Sequence, residues 1–235
     1  LGKAVISIIT PSIRVPEGLE VVKKGLDRQT INDFEWLIGS PNESNVGKWI
    51  RDSFKGGFWT LNRMLNSLVR EAKGDLVVSI QDYTFFNPDA LEKFLFYYEK
   101  DSKSIVSGIG DKYESVYPLG KRLWTDPRRD TGNGFRTCPF HYIEGNFCAF
   151  PKQAIIDIGG FDESLDFEGY GLDFYSLFDR LSIKGGYKFY IDDTNESFSL
   201  THGRVKDWDE RNISAERYKE IRNKYLENPV LSYLA

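Results

Sequence analysis

Two short apolar strands flanking an amphipathic helix constrain what this chain can fold into more than any other feature. Ala4–Ile9 is apolar and rich in β-branched residues, and Thr10-Pro11-Ser12 ends it. Glu17–Gln29 carries Leu19, Val22 and Leu26 at helical spacing, and Phe34–Ile38 is a second strand closed by Gly39-Ser40-Pro41-Asn42. A strand–helix–strand unit implies parallel strands joined by a right-handed crossover. Pro41–Phe54 is polar and irregular. A helix over Trp59–Ala72, with Leu61, Leu65, Leu68 and Val69 on one face, leads through Gly74-Asp75 into a third strand, Leu76–Ile80. Ligands of open α/β sheets bind at the carboxyl ends of the strands. The acid that closes Val77-Val78-Ser79-Ile80-Gln81-Asp82-Tyr83 is therefore the first candidate for chemistry.

The pattern continues with a helix over Pro88–Glu99, where proline suits the first turn, and a short strand at Ile105–Gly108. Asp111–Thr137 has no clear period, and a long irregular loop inside a compact domain is usually functional or mobile. A strand over Tyr142–Phe150, a short helix over Lys152–Ile158 ended by Gly159-Gly160, a helix over Asp173–Ser182, a strand over Tyr187–Ile191 and an amphipathic helix over Asp207–Leu226 complete the chain. No internal repeat or low-complexity linker interrupts it. The 235 residues suit one large domain. A net charge of −4 gives the protein as a whole no attraction for nucleic acid or anionic membrane, so nucleic acid is not indicated as a partner. Cys138 and Cys148 make neither a disulfide framework nor a zinc site, which points to a reducing compartment. Apolar runs of about 5–6 residues fall far short of a membrane span. Leu1–Ile9 leads straight into a strand without a signal-peptide profile. The expectation is a soluble cytoplasmic protein with no transmembrane segment.

With these elements placed, roughly residues 4–203 resemble the family-2 glycosyltransferases of the GT-A fold. Val5-Ile6-Ser7-Ile8-Ile9-Thr10-Pro11-Ser12 is similar to that family's opening strand and turn. Gln29-Thr30 with Phe34-Glu35-Trp36 resembles its approach to the second strand. Asn62, Ala72-Lys73-Gly74-Asp75 and the run to Asp82 resemble its helix, "KGD" and acidic metal motif. Gly145-Asn146-Phe147 through Gly159-Gly160-Phe161-Asp162-Glu163 is similar to its acceptor-side segment. Asp173 falls on the second acid of its "ED" pair, and His202 on a late histidine that many members carry. The resemblance implies an α/β fold, a Rossmann-like, mixed but mainly parallel sheet flanked by helices and followed by a C-terminal amphipathic helix. It implies a single catalytic domain over 1–235, divided into a nucleotide-sugar half (1–88), an acceptor half (89–203) and a helical tail (204–235). Within it, Asp82 and His202 hold a divalent metal, Mn²⁺ or Mg²⁺. Pro11, Ser12, Gln29, Asn62, Gln81 and Asp82 bind the donor, and Asp173 is the catalytic base. This chain departs from the family's pattern in three places: Gln81-Asp82-Tyr83 keeps only the central acid, Leu172-Asp173 keeps one carboxylate, and Leu37-Ile38-Gly39-Ser40 lacks the acid that often contacts the nucleobase.

Cleaving a bond from an anomeric carbon to a diphosphate requires stabilising charge on the leaving phosphate, which a divalent cation does as a Lewis acid. Mg²⁺ takes only one or two protein carboxylates beside substrate phosphates, so one aspartate suffices, while an imidazole ligand tilts the preference toward Mn²⁺. The attacking hydroxyl needs a base. Each candidate also has a plainer reading. Asp82 reads also as a helix-capping or turn aspartate, His202 as a surface or core histidine, and Asp173 as a helix N-cap, with Asp162, Glu163, Asp166 and Glu168 competing for the base and Glu168 the nearest. His141 reads as structural or acceptor-facing. Lys121, Arg122, Arg128, Arg129 and Arg136 form either a solvated loop or a lid that clamps phosphate or an anionic acceptor, with Trp124 placed to stack on a sugar. The leading function is transfer of a sugar from a nucleotide diphosphate donor, UDP first and GDP second, to a glycan or other hydroxyl-bearing acceptor with inversion. A non-catalytic sugar- or nucleotide-binding protein on the same fold is the alternative. A nucleotidyltransferase is less favoured, because Pro11-Ser12-Ile13-Arg14 does not resemble a Gly-rich phosphate loop.

Overall fold

The apolar runs form the strands of one ten-stranded sheet. A computed structural model describes residues 6–13, 17–51, 60–167, 172–201 and 213–234. Its first part comprises β1 (Ile6–Pro11), α1 (Glu17–Leu26), β2 (Phe34–Ser40), β3 (Lys48–Arg51), α2 (Leu61–Glu71), β4 (Leu76–Ile80), β5 (Thr84–Phe86) and α3 (Ala90–Lys100). Then follow β6 (Ser104–Tyr113), β7 (Arg122–Trp124), β8 (Phe135–Thr137), β9 (Phe147–Pro151), α4 (Lys152–Asp157), α5 (Asp173–Lys184), β10 (Lys188–Leu200) and α6 (Ala215–Glu227).

The main strand order is β3-β2-β1-β4-β9-β6-β10-β5, with β7 beside β6 and β8 beside β10. β1 is parallel to both β2 and β4, β2 to β3, and β6 to β10. β9 runs antiparallel between β4 and β6. The carboxyl ends of β1, β2, β3, β4, β6 and β10 consequently share one edge, and β9 starts there, with Phe147 opposite Ile80. Period-two alternation gives the sheet two apolar faces. Ile9, Leu37, Val77, Ile105 and Phe150 pack under α2, α4 and α5. Ile8, Ile38, Val78, Val106 and Ala149 pack under α1 and α3.

The expected strand–helix–strand unit is present and parallel. The differences are local: β6 runs on past Gly108 to Tyr113, and the stretch expected to be irregular over 111–137 contains β7 and β8. The polar 41–54 stretch contains β3, and the run after Asp82 contains β5; both are too short to show periodicity. Tyr142–Phe150 is not continuous strand: a 3-10 turn at Phe140–Tyr142 precedes β9. The strand expected over Tyr187–Ile191 extends to Leu200, past a bulge between Ile191 and Glu196. Of the helix expected over Asp207–Leu226, residues 207–212 lie outside the described residues, and α6 starts where Ser214 Oγ accepts from Arg217 N. Among the described residues, no helix is long and apolar enough to cross a membrane.

The Gly159-Gly160-Phe161-Asp162-Glu163 segment is a junction. Asn66 of α2, fully buried, donates to the Phe161 carbonyl and to Glu163, while its carbonyl oxygen accepts from Phe161 N at 2.8 Å. Buried Arg180 of α5 donates to the carbonyls of Ile158 and Gly160. Tyr225 and Tyr233 donate to Asp162, and Leu231 N and Tyr233 N donate to the Ile158 and Gly159 carbonyls. At Gly159, φ is +71° and an added Cβ would lie 1.7 Å from the Leu231 carbonyl oxygen, so only glycine admits the tail. α6 is tied down separately, by Tyr218 and Arg222 donating to buried Asp179.

Asn66→Ala would leave both backbone groups of Phe161 buried without a partner. It should destabilise the protein by about 2–4 kcal/mol in urea denaturation. A loss below about 0.5 kcal/mol, as at an ordinary surface position, would show that the junction does not depend on this amide.

Candidate functional site

The register of β1 against β4, Ile9 opposite Ser79, sets their carboxyl ends side by side. Ser12 continues the ladder past β1 by donating N–H to the Gly39 carbonyl, and its hydroxyl donates to Asp82 Oδ2 at 2.7 Å. Asp82 is only 4% exposed. The turn that carries it is held on both sides. Tyr83 N donates to the Gly18 carbonyl in the first turn of α1, and Leu200 N at the end of β10 donates to the Tyr83 carbonyl, both at 3.0 Å. Tyr83 has φ +63°, and it is the one non-glycine with positive φ among the described residues. Such a conformation costs about 1–3 kcal/mol and persists where the surroundings impose it, characteristically at functional sites.

The turn connects directly to α5. Exposed Gln81 donates its N–H to the Asn146 carbonyl, and Ser79 Oγ donates to the Gly145 carbonyl. Gly145 lies flat on the Phe174 ring, where a Cβ would come within 2.0 Å of ring carbon. Asp173, the first residue of α5, therefore stands beside the strand-end residues. Its carboxyl is half-buried and pushed up to about 6 by burial; the backbone N–H groups of Asp173 and Phe174 oppose the shift, and the charge of Asp166 adds to it. Leu172, not Asp173, occupies the N-cap position of α5. Asp166 performs the corresponding service for α2, accepting from Asn62 N at 2.7 Å, Asn62 Nδ2 at 2.9 Å and Arg63 N at 3.0 Å. Burial nevertheless holds the Asp166 carboxyl above its usual range. Thr60 Oγ1, Asn62 Oδ1 and Asn146 Oδ1 are buried with no hydrogen-bond partner among the described residues. Unpaired buried acceptors are uncommon and need an explanation such as an absent ligand.

Ser12, Gln81 and Asp82 thus come together, with Pro11 ending β1 beside them, and Asn62 and Asp173 stand at the same sheet edge. Gln29 does not join them. It follows the far end of α1, and its amide is spent on the Gly25 and Asn87 carbonyls and on Leu91 N, bracing α1 against α3. His202 and Glu168 lie outside the described residues. The arginines of the irregular loop are engaged within the fold rather than presented to a ligand. Arg128 is buried on Asp126, Ser107 and the Tyr142 carbonyl; Arg129 pairs with Asp111 and Glu196, Arg122 with Asp111, and Arg136 with Asp193. Arg128 thereby supports the 140–146 loop from below. Trp124 is exposed with Lys112 over its ring, and His141 is exposed on the 3-10 turn. Asn146 is a residue that pattern reading did not single out for chemistry, while Asp166, one of the alternative bases, is engaged at the start of α2. A cleft of about 550 Å³, unseen in sequence, opens between Leu19-Glu20 of α1 and Asn42–Val46 after β2. Among the described residues, no group of three or more histidine, cysteine or acidic side chains could by itself hold a metal.

No family model matches the chain, and no curated protein matches it in sequence. Among solved structures it is similar to the crystal structure of GalNAc-T7 with UDP, GalNAc and Mn²⁺, at TM-score 0.69 and 11% identity. The match covers 94% of this chain. The fold is GT-A. This chain spans about half of that protein, 48% of its length, and at such identity the likeness is one of fold. Ser12, Asp82, Asn146 and Asp173 lie at the carboxyl edge of the parallel strands, the edge where open α/β sheets generally take their ligands.

The raised Asp173 carboxyl yields a stability prediction. Its folded-state value, about 6 against an ordinary 3.8, means the native protein binds this proton more tightly than the unfolded chain. The stability it contributes is complete below the unfolded value and declines as pH rises through that window. Asp173→Asn should gain on the wild type in thermal denaturation as pH rises from about 4 to 6, then level off. A difference that stays flat across the window would show that the carboxyl is not shifted.

Proposed function

We propose that the protein transfers a sugar from a nucleotide diphosphate sugar, with UDP the favoured nucleotide, to an acceptor hydroxyl, inverting the anomeric carbon in one displacement. The observation that carries this reading is the Asp82 turn. One buried carboxylate is fixed by Ser12 at the carboxyl edge of a GT-A sheet and linked through Gln81, Asn146 and Gly145 to a carboxyl of raised affinity for protons. The family-2 resemblance of the motifs supports the inverting course. UDP and Mn²⁺ in the GalNAc-T7 structure support the choice of donor and metal.

The donor set fits a cation that takes most of its ligands from a diphosphate, because the described residues offer one carboxylate at that turn. Asp82 would hold Mn²⁺ or Mg²⁺ with the donor's phosphates, with His202 proposed as a further ligand; when bound, the metal supplies Lewis-acid stabilisation of the leaving diphosphate. Ser12 orients Asp82 through its hydroxyl. Pro11, Ser12 and Gln81 line the donor side, and the cleft by Asn42–Val46 offers amides to a nucleobase in place of the missing strand-end acid. The buried oxygens of Asn62 and Asn146 accept from sugar hydroxyls, which removes their lack of a partner. Asp173 takes the proton of the acceptor hydroxyl as that oxygen bonds to the anomeric carbon and the carbon–oxygen bond to the diphosphate breaks. A base whose pKa is near 6 is ionised at neutral pH and still basic enough to assist. We assign residues 1–88 to the donor half and 89–203 to the acceptor half.

UDP with Mn²⁺ should stabilise the protein thermally, by about 2.7 kcal/mol at 100 times the dissociation constant. Asp82→Ala should abolish this shift and metal-dependent release of UDP from UDP-sugars. Full activity of Asp82→Ala, or of the wild type in excess chelator, would reject the assignment. Asp173→Asn should keep UDP binding and lose about 100-fold or more in transfer, read as nucleotide release in a donor screen. Stabilisation by UDP with no release from any donor would favour the non-catalytic binding protein, the reading to which the single carboxylate at the Asp82 turn gives weight.

A further inference from the structure

Asp82 occupies a turn whose shape its own residues do not favour. Tyrosine at φ +63° is disfavoured, because its Cβ crowds the backbone there. What holds the turn is the first turn of α1. The Gly18 carbonyl accepts from Tyr83 N, and the Tyr83 ring lies against the Gly18 Cα. A Cβ on Gly18 would stand 2.6 Å from two ring carbons of Tyr83 and 3.0 Å from Asp82 Cβ. At this positive φ the ring has few alternative rotamers, and Leu200 N separately fastens the Tyr83 carbonyl. Any displacement therefore passes into the backbone on which Asp82 is mounted, and away from Ser12 Oγ.

We propose that Gly18 and the left-handed turn at Tyr83 are the positioning elements of Asp82, so that the first turn of α1 sets where this carboxylate meets its ligand. Tyrosine stands where the resemblance places a further acid of the metal motif. Here that position acts through backbone shape rather than charge. What Asp82 binds rests on the function proposed above; how it is positioned does not.

The test pairs crystal structures with titration of UDP in the presence of Mn²⁺, using the full chain. Gly18→Ala should break the Ser12–Asp82 hydrogen bond and weaken UDP–Mn²⁺ binding by about 10- to 100-fold, the range found when a ligand's supporting residue is removed. Gly25→Ala is the matched control. It lies on the same helix, and its Cβ would meet the Phe86 ring at 2.7 Å, a similar clash that does not bear on Asp82. It should destabilise the fold yet leave binding unchanged. Tyr83→Val cannot hold a left-handed turn and should lose binding as Gly18→Ala does. Tyr83→Gly, which holds it at no steric cost, should keep both the hydrogen bond and most of the affinity. Combining Tyr83→Gly with Gly18→Ala should recover most of the binding, since only the 3.0 Å approach to Asp82 Cβ remains. The proposal is overturned if Gly18→Ala keeps the Ser12–Asp82 bond, if Gly25→Ala weakens binding equally, or if Tyr83→Val and Tyr83→Gly behave alike. Should Gly18→Ala fail to fold, the Tyr83 pair decides alone. A wild type that binds no nucleoside diphosphate would sink the functional reading, while the Ser12–Asp82 distance in the variants would still decide the positioning.

Discussion

The antiparallel pairing of β9 with β4, with Phe147 opposite Ile80, is the constraint on which the site depends. In a purely parallel sheet every strand would start at the amino edge, and only strand ends and the starts of crossover helices would lie at the carboxyl edge. Because β9 runs the other way, its leading residues, Gly145 and Asn146, arrive at the edge where β4 ends. They accept from Ser79 and Gln81 on one side and, through the bare face of Gly145, seat the Phe174 ring on the other. That seat places Asp173 at the strand ends. One reversal of direction thereby brings Asp82 and Asp173 into one wall.

The carboxylates along this wall are treated differently by their surroundings, and the difference suits distinct tasks. Asp82 is fixed by a hydroxyl donor. Asp166 takes three N–H donors at the start of α2, which pins that helix to the segment leading to α5. Asp173 has the protons of only its own helix turn, and burial pushes its carboxyl up to about 6. The C-terminal segment contributes at a distance: Tyr225, Tyr233 and Leu231 hold the junction from which Asp166 projects.

Much of this was legible in the sequence, for reasons that can be stated residue by residue. Leu76–Ile80 is fully buried on both faces, so its strand character shows as an unbroken apolar run, and the acid beyond it stands out. β5 has only three residues, and β10 passes through the polar bulge Asp192-Asp193-Thr194-Asn195 before its second half, Glu196–Leu200. Its strand character comes from pairing with β6 and β5, which no local pattern encodes. The arginines of the irregular loop were visible as charges. Their partners Asp111, Asp126, Asp193 and Glu196 are defined only by the fold, which turns an apparent phosphate clamp into a set of internal braces. Gln29 failed as a donor contact for a similar reason: its amide is already satisfied by backbone groups 58 and 62 residues away. Asn146 belonged to a quoted motif, but its buried, unpaired oxygen is a property of packing alone.

The central claim is that the Asp82 turn is where a metal–diphosphate group meets this GT-A sheet. Crystals soaked with UDP and Mn²⁺, with data collected at the manganese absorption edge, test it most directly. The account predicts an anomalous peak at about 2.0–2.2 Å from an Asp82 carboxylate oxygen, the usual reach of a carboxylate to a small divalent cation, with the diphosphate on the carboxyl edge between Ser12 and Asn146. A nucleotide bound elsewhere, or a manganese peak remote from Asp82, would contradict it.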